Sequence, residues 1–287
     1  MLSFLLALVV AGLVPSVVLL IVFRGPPPTS GDLSLTVNTF VEVVTALIAT
    51  WIMLSRIDHR PWSEVGLQRD AAAPGKLLLG FLIGGGAIAL TIAALIALRW
   101  LRLEHTGDVL GHPILRLTAI LIPAALAEEL ICRGYILSAI RDALGWTWAV
   151  ALTSIGFGLM HLGNPGADAR SVILVTLAGV FLAAIRIATN SLYAAWAAHF
   201  AWNWVMGGIF HAAISGVSFA APSYRYVDAG PDWATGGQWG PEGGAVAGVA
   251  MVAGTLLLWK RVHRSSSSSF VHRHSFIVET KNENEQR

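Results

Sequence analysis

The chain has 287 residues, of which 55% are hydrophobic and only 13% charged. A soluble domain of this size carries about twice that charged share, so the composition excludes an ordinary soluble protein and points to an integral membrane protein. The net charge of +2 excludes a strongly basic nucleic-acid-binding surface, and the single cysteine, Cys132, excludes an internal disulfide or a paired-cysteine metal site.

A hydrocarbon core about 30 Å thick takes about 20 apolar residues per helix. Eight stretches qualify, at 2–23, 33–55, 77–98, 114–140, 146–162, 171–187, 191–213 and 244–260. The expected fold is therefore all-α, a polytopic membrane bundle of about eight transmembrane helices over 1–262. The first stretch lacks a basic flank and a small-residue cleavage site, which predicts a retained helix rather than a signal peptide. Three prolines in "RGPPPTSGD" predict the turn after it. In the third stretch Gly80 and Gly84 lie one turn apart, a spacing that lets helices approach closely in lipid. The Gly/Pro/Trp-rich loop 215–244 is expected to hold its tryptophans at headgroup level. The polar, serine-rich tail 263–287 reads as disordered.

Eight crossings put both termini on one side. The loops on that side and the tail hold twelve Lys and Arg residues against six on the other. That balance predicts cytoplasmic termini. Half of the twelve lie in the tail region from Lys260 onward.

The stretch "LAEELICRGYIL", Leu126 to Leu137, breaks the apolar pattern. An ionisable group at membrane depth costs at least about 2.5–3.5 kcal/mol on insertion scales, so it is paired or functional. At about 100° per residue, Glu129 and Arg133 share a helix face. Glu128 is turned about 140° from Arg133 and is free to meet another helix. The division expected is that Arg133 holds Glu129 while Glu128 faces a partner. Two later stretches bring histidines. "FGLMHLGNPG" puts Phe157 and His161 on one face, with Asn164 and Pro165 ending the helix. "AAHFAWNWVMGG" puts His199 and Asn203 on one face.

A carboxylate pair, two imidazoles and a carboxamide from three helices can deprotonate a water and stabilise an oxyanion. Glu128, His161 and His199 equally form a two-histidine, one-glutamate set for Zn2+ with an open position. The chain has no HExxH, no GxSxG and no Walker loop. Ser154 and Ser191 have no base at helical spacing. Glu42, one turn after Asn38, reads as an interhelical hydrogen bond or a further cavity group.

The order Glu-Glu-x-x-x-Arg at 128–133, Phe-x-x-x-His at 157–161 and His-x-x-x-Asn at 199–203 resembles the CPBP family of CAAX prenyl endopeptidases and bacteriocin-processing enzymes, also called ABI. "RPWSEVGLQR", 60–69, resembles the Pro-Trp…Gly-Leu segment of many bacterial members, so the likeness spans about 60–210. The resemblance implies an eight-helix intramembrane endopeptidase, in the bacterial inner membrane, with its site open to the cytoplasm. It implies that Glu128 activates a water, that His161 assists, and that His199 and Asn203 form the oxyanion site. Glu129 and Arg133 would orient the first helix. Both a zinc-dependent and a metal-independent glutamate mechanism fit the residues. The implied partner is a membrane-associated peptide or protein, prenylated in eukaryotic relatives. Two rival readings use the same residues: a non-catalytic peptide-binding or immunity protein, and a proton-coupled transporter with buried Glu and His.

Overall fold

The computed structural model describes residues 3–4, 6–9, 11–12, 32–105, 112–219 and 224–261. The expected disordered tail and most of the expected first helix lie outside these residues. Three described helices are long and apolar enough to cross a membrane: Ser34–Ile57, Pro74–Ala97 and Ala169–Thr189. The protein is an integral membrane protein built mainly of helices.

Helix α1, Asp32–Ile52, runs on into a π turn, Met53–Ile57. Helix α2, Pro74–Ala97, starts with proline at its first position, where no backbone donor is lost. The stretch expected as one helix over 114–140 is broken in three. Helix α3, His112–Glu129, contains Pro123. A π turn, Leu130–Tyr135, follows directly on the glutamate pair, with Gly134 outside helical backbone angles. Helix α4, Ile136–Leu144, ends at Gly145, whose φ of +84° favours glycine. Helix α5, Trp146–Met160, has 15 residues, and α6, Ala169–Thr189, has 21. Helix α7, Leu192–Trp204, has 13 and continues as a π turn, Val205–Ile209. The last helix, α8, covers 245–261.

Two expectations need correction. A two-stranded antiparallel sheet joins β1, Leu101–His105, to β2, Tyr224–Asp228. It is legible as strand only through pairing, because its segments are short and lie in what reads as loop. In the 215–244 segment, whose tryptophans are expected at headgroup level, Trp239 is instead buried against Cys132 and Phe157, while Trp233 is exposed.

Helix α7 is positioned by close contact with α2. A Cβ on Gly80 would stand 2.1 Å from the Ala194 carbonyl oxygen, and one on Gly84 2.1 Å from that of Ala198. Any larger residue there would push α7 away, which is why the small-residue spacing matters. The "RPWSEVGL" segment holds the start of α7: the Gly66 carbonyl accepts from Leu192 N at 3.0 Å. Ser191 caps α7 by accepting from Ala194 N, and its hydroxyl donates to the Ala71 carbonyl. A capping role accounts for this serine without any nucleophilic one.

The bundle has two distinct ends. At one, Arg141 donates to Glu64 at 2.8 Å and to Asp142 at 2.7 Å, and Arg60 also pairs with Asp142. Tyr135 donates to Asp58 there, and Phe4 stacks on Tyr135 with ring centroids 5.0 Å apart. The first described residues therefore sit at this end, and α8 runs back towards it from residue 245. At the other end lie the sheet, the 161–168 turn and residues 212–219 and 229–243. The loops expected to share a side thus meet one another.

Candidate active site

The three motifs converge on one group of side chains inside the bundle. Glu129 and Arg133 are both fully buried, with Arg133 Nη1 donating to Glu129 Oε1 at 3.0 Å. The Arg133 guanidinium also lies 4.1 Å from the centroid of the Phe157 ring. This is the ion pair that helical spacing predicts, reinforced by a cation–π contact.

Glu129 does more than the sequence suggests. The same Oε1 lies 3.0 Å from His199 Nδ1. A carboxylate in an ion pair only accepts, so Nδ1 carries the proton. His161 Nδ1 lies 2.8 Å from the Phe157 carbonyl, one turn earlier, and must likewise donate. Both rings are thus held by Nδ1 and present Nε2. Both Nε2 atoms face Glu128 Oε2, at 4.0 Å from His161 and 3.8 Å from His199. That oxygen is buried and has no direct hydrogen-bond partner. The Phe157 ring backs the pair, edge-on to His161 at 4.9 Å and to His199 at 5.8 Å. The expected division of labour holds in outline: Glu128 meets the other helices and Glu129 takes Arg133. His199, however, is clasped by both carboxylates.

A cavity of about 250 Å³ opens beside this group. Glu128, His161, Asn164, His199 and Asn203 line it, with an apolar wall that includes Leu121, Phe181 and Met251. Its volume is enough for several waters or a small peptide segment. Asn203 is one turn after His199 on the same face, as expected. Glu42 is exposed on α1 and does not line the cavity. The carboxylate Glu242, unmarked by any motif, does.

The donor types of a zinc site are present: two Nδ1-anchored imidazoles and a carboxylate. The two Nε2 atoms stand 3.8 and 4.0 Å from Glu128 Oε2, and among the described residues no ready-formed group of three His, Cys, Asp or Glu for a metal ion is found.

The family described as Type II CAAX prenyl endopeptidase Rce1-like matches residues 110–205. The match covers about a third of the chain, and this stretch is similar to that family. It covers α3 to the end of α7 and carries all three motifs, in agreement with the family resemblance read from them. Neither a curated protein nor a solved structure matches the chain. An Rce1-like core on apolar helices supports a membrane-embedded endopeptidase as the general class, with a peptide or protein as substrate. The segment 206–261, including Glu242, lies beyond the match.

Proposed function

We propose that the protein hydrolyses a peptide bond within the membrane, using a water activated by Glu128. The observation that carries this reading is the meeting of Glu128 Oε2 with two imidazole Nε2 atoms whose orientations are fixed from behind. Distances near 4 Å are too long for direct hydrogen bonds, and a small widening of the group would admit a water between them. Water attacks the carbonyl carbon and gives its proton to Glu128, with His161 Nε2 as the second acceptor that orients it. The carbonyl π electrons move to oxygen, where Asn203 Nδ2 donates. His199 can donate from Nε2 when both its nitrogens carry protons, and Glu129 on Nδ1 is the partner such an imidazolium needs. The C–N bond then breaks as Glu128 passes its proton to the departing amine. No step is routed through a metal.

The test is cleavage of a fluorogenic peptide library, with and without a prenyl-cysteine, by protein in nanodiscs. Glu128→Gln and His199→Ala are expected to abolish turnover, and a strong chelator to leave it unchanged. Turnover that survives Glu128→Gln overturns the reading in favour of a binding protein. Loss in chelator that Zn2+ restores replaces the glutamate–water scheme by a zinc-dependent one.

The basic residues of the tail favour cytoplasmic termini. Reporter fusions at residue 261 and within 106–111 are expected to fall on opposite sides, the first cytoplasmic. A cytoplasmic 106–111 reporter reverses the orientation.

A further inference from the structure

Glu242 is a buried carboxylate in the wall of the cavity, 7% exposed, in the sequence "GPEGG" that reads as an exposed turn. Its Oε1 accepts from both the backbone N and the hydroxyl of Ser215, each at 2.7 Å. Its Oε2 accepts from Trp202 Nε1 at 3.1 Å. Ser215 in turn accepts, at its carbonyl, from Asn164 Nδ2 at 3.0 Å. Trp202 is three residues after His199 and directly before Asn203. Asn164 is three residues after His161. The chain Asn164–Ser215–Glu242–Trp202 therefore ties together the two histidine-bearing segments, through a piece of the protein outside the Rce1-like match.

The piece that carries the tie is packed closely at the backbone. Gly216, at φ +80°, would place a Cβ 1.9 Å from the Pro165 carbonyl oxygen, and its N donates to the Trp239 carbonyl at 3.0 Å. Gly240, at φ +100°, would place one 2.1 Å from the Ala213 carbonyl oxygen. These glycines let residues 213–216 lie directly on the turn after His161 and on the turn before Glu242. Three neutral donors satisfy a carboxylate without a cation. Among the described residues no Lys, Arg or His forms an ion pair with Glu242, so its charge is spent on holding these donors.

We propose that Glu242 is a positioning residue: it fixes the separation of His161 and His199 on either side of Glu128 and the angle at which Asn203 meets the cavity. The proposal rests on the peptidase reading for its kinetic consequence but not for its geometry. A sidedness of effect follows. In Glu242→Gln the amide presents one acceptor and one donor, so whichever way it turns, either Ser215 or Trp202 loses its partner. Trp202→Phe breaks the same tie from the other side while keeping an aromatic ring near Phe181, now 6.2 Å away.

The experiment combines turnover with imidazole 15N spectra of histidine-labelled protein in nanodiscs, for wild type, Glu242→Gln and Trp202→Phe. A misplacement on the ångström scale is expected to lower kcat by about ten- to 100-fold. KM is expected to stay within about twofold, because binding common to ground and transition states is retained. The His199 signals should move in both variants. Wild-type kcat together with superimposable imidazole signals overturns the proposal. So does a change confined to KM, which makes Glu242 a wall of the substrate pocket, or a loss of folded protein at unchanged kcat per folded molecule. If the wild type cleaves nothing, the peptidase reading falls, and the spectra alone decide the tie. If Glu242→Gln does not fold, Trp202→Phe supplies both readouts.

Discussion

The pairs Glu129–Arg133 and Glu64–Arg141 are chemically alike, with N···O distances of 3.0 and 2.8 Å. Their arginines stand on the same run of chain, eight residues apart. Their settings differ. Glu129 and Arg133 are fully buried, whereas Glu64 is 34% and Arg141 21% exposed and both share their charge with Asp142 and Arg60. In the buried pair each charge depends on one or two fixed partners, and losing one leaves the other unpaired in low dielectric. In the exposed network water and salt replace whatever is removed. Similar pairs thus do different things: the first holds the His199 ring in place, and the second ties the 60–69 segment to α4.

The sharpest way to test the contrast is at the carboxylate beside the buried pair. Glu128→Gln keeps the shape and removes the base, and should lower kcat by about 100- to 10,000-fold with little change in melting temperature. Next comes Arg133→Met, which strands Glu129. It is expected to cost about 3–5 kcal/mol of stability, read as a large drop in thermal midpoint. It should also scramble the His199 imidazole signals. A drop no larger than that of an exposed variant would erase the distinction drawn here. Asn203→Ala should reduce kcat by about 100- to 1,000-fold while the melting temperature holds, as for an oxyanion donor.

The smallest effect belongs to the exposed network. Asp142→Asn should cost about 0.2–1 kcal/mol at low salt and less at high salt. Its pH dependence has a definite sign. The hydrogen bond from Arg141, and then that from Arg60, hold the Asp142 carboxyl below its usual range. The stabilisation is complete above the ordinary aspartate value of about 3.9. It fades as pH falls through the depressed folded value. Melting curves of wild type and Asp142→Asn should therefore converge in acid and separate above about pH 4. Curves that stay apart in acid would show that the side chain acts through shape rather than charge.

Much of the site was legible because a membrane penalises stray polarity. In an apolar background the residues Glu128, Glu129, Arg133, His161, His199 and Asn203 stand out, and 3.6-residue periodicity already pairs Glu129 with Arg133. The same logic hid Glu242. It lies among glycines and a proline in a segment whose composition matches exposed loop, and its partners are 27 and 40 residues away in sequence. No local pattern encodes such a contact. The β1–β2 pairing and the burial of Trp239 were missed for the same reason.

Composition and hydropathy by themselves determined that the chain is a membrane protein built mainly of helices, and motif spacing singled out the side chains of the candidate site. Both are local properties, set by transfer from water and by the pitch of a helix. Only the tertiary structure decided that both imidazoles are anchored at Nδ1 and that His199 lies between two carboxylates. It alone brought Glu242 to the histidines. Those features depend on distances between segments far apart in sequence, fixed by backbone contacts at Gly80, Gly84, Gly216 and Gly240.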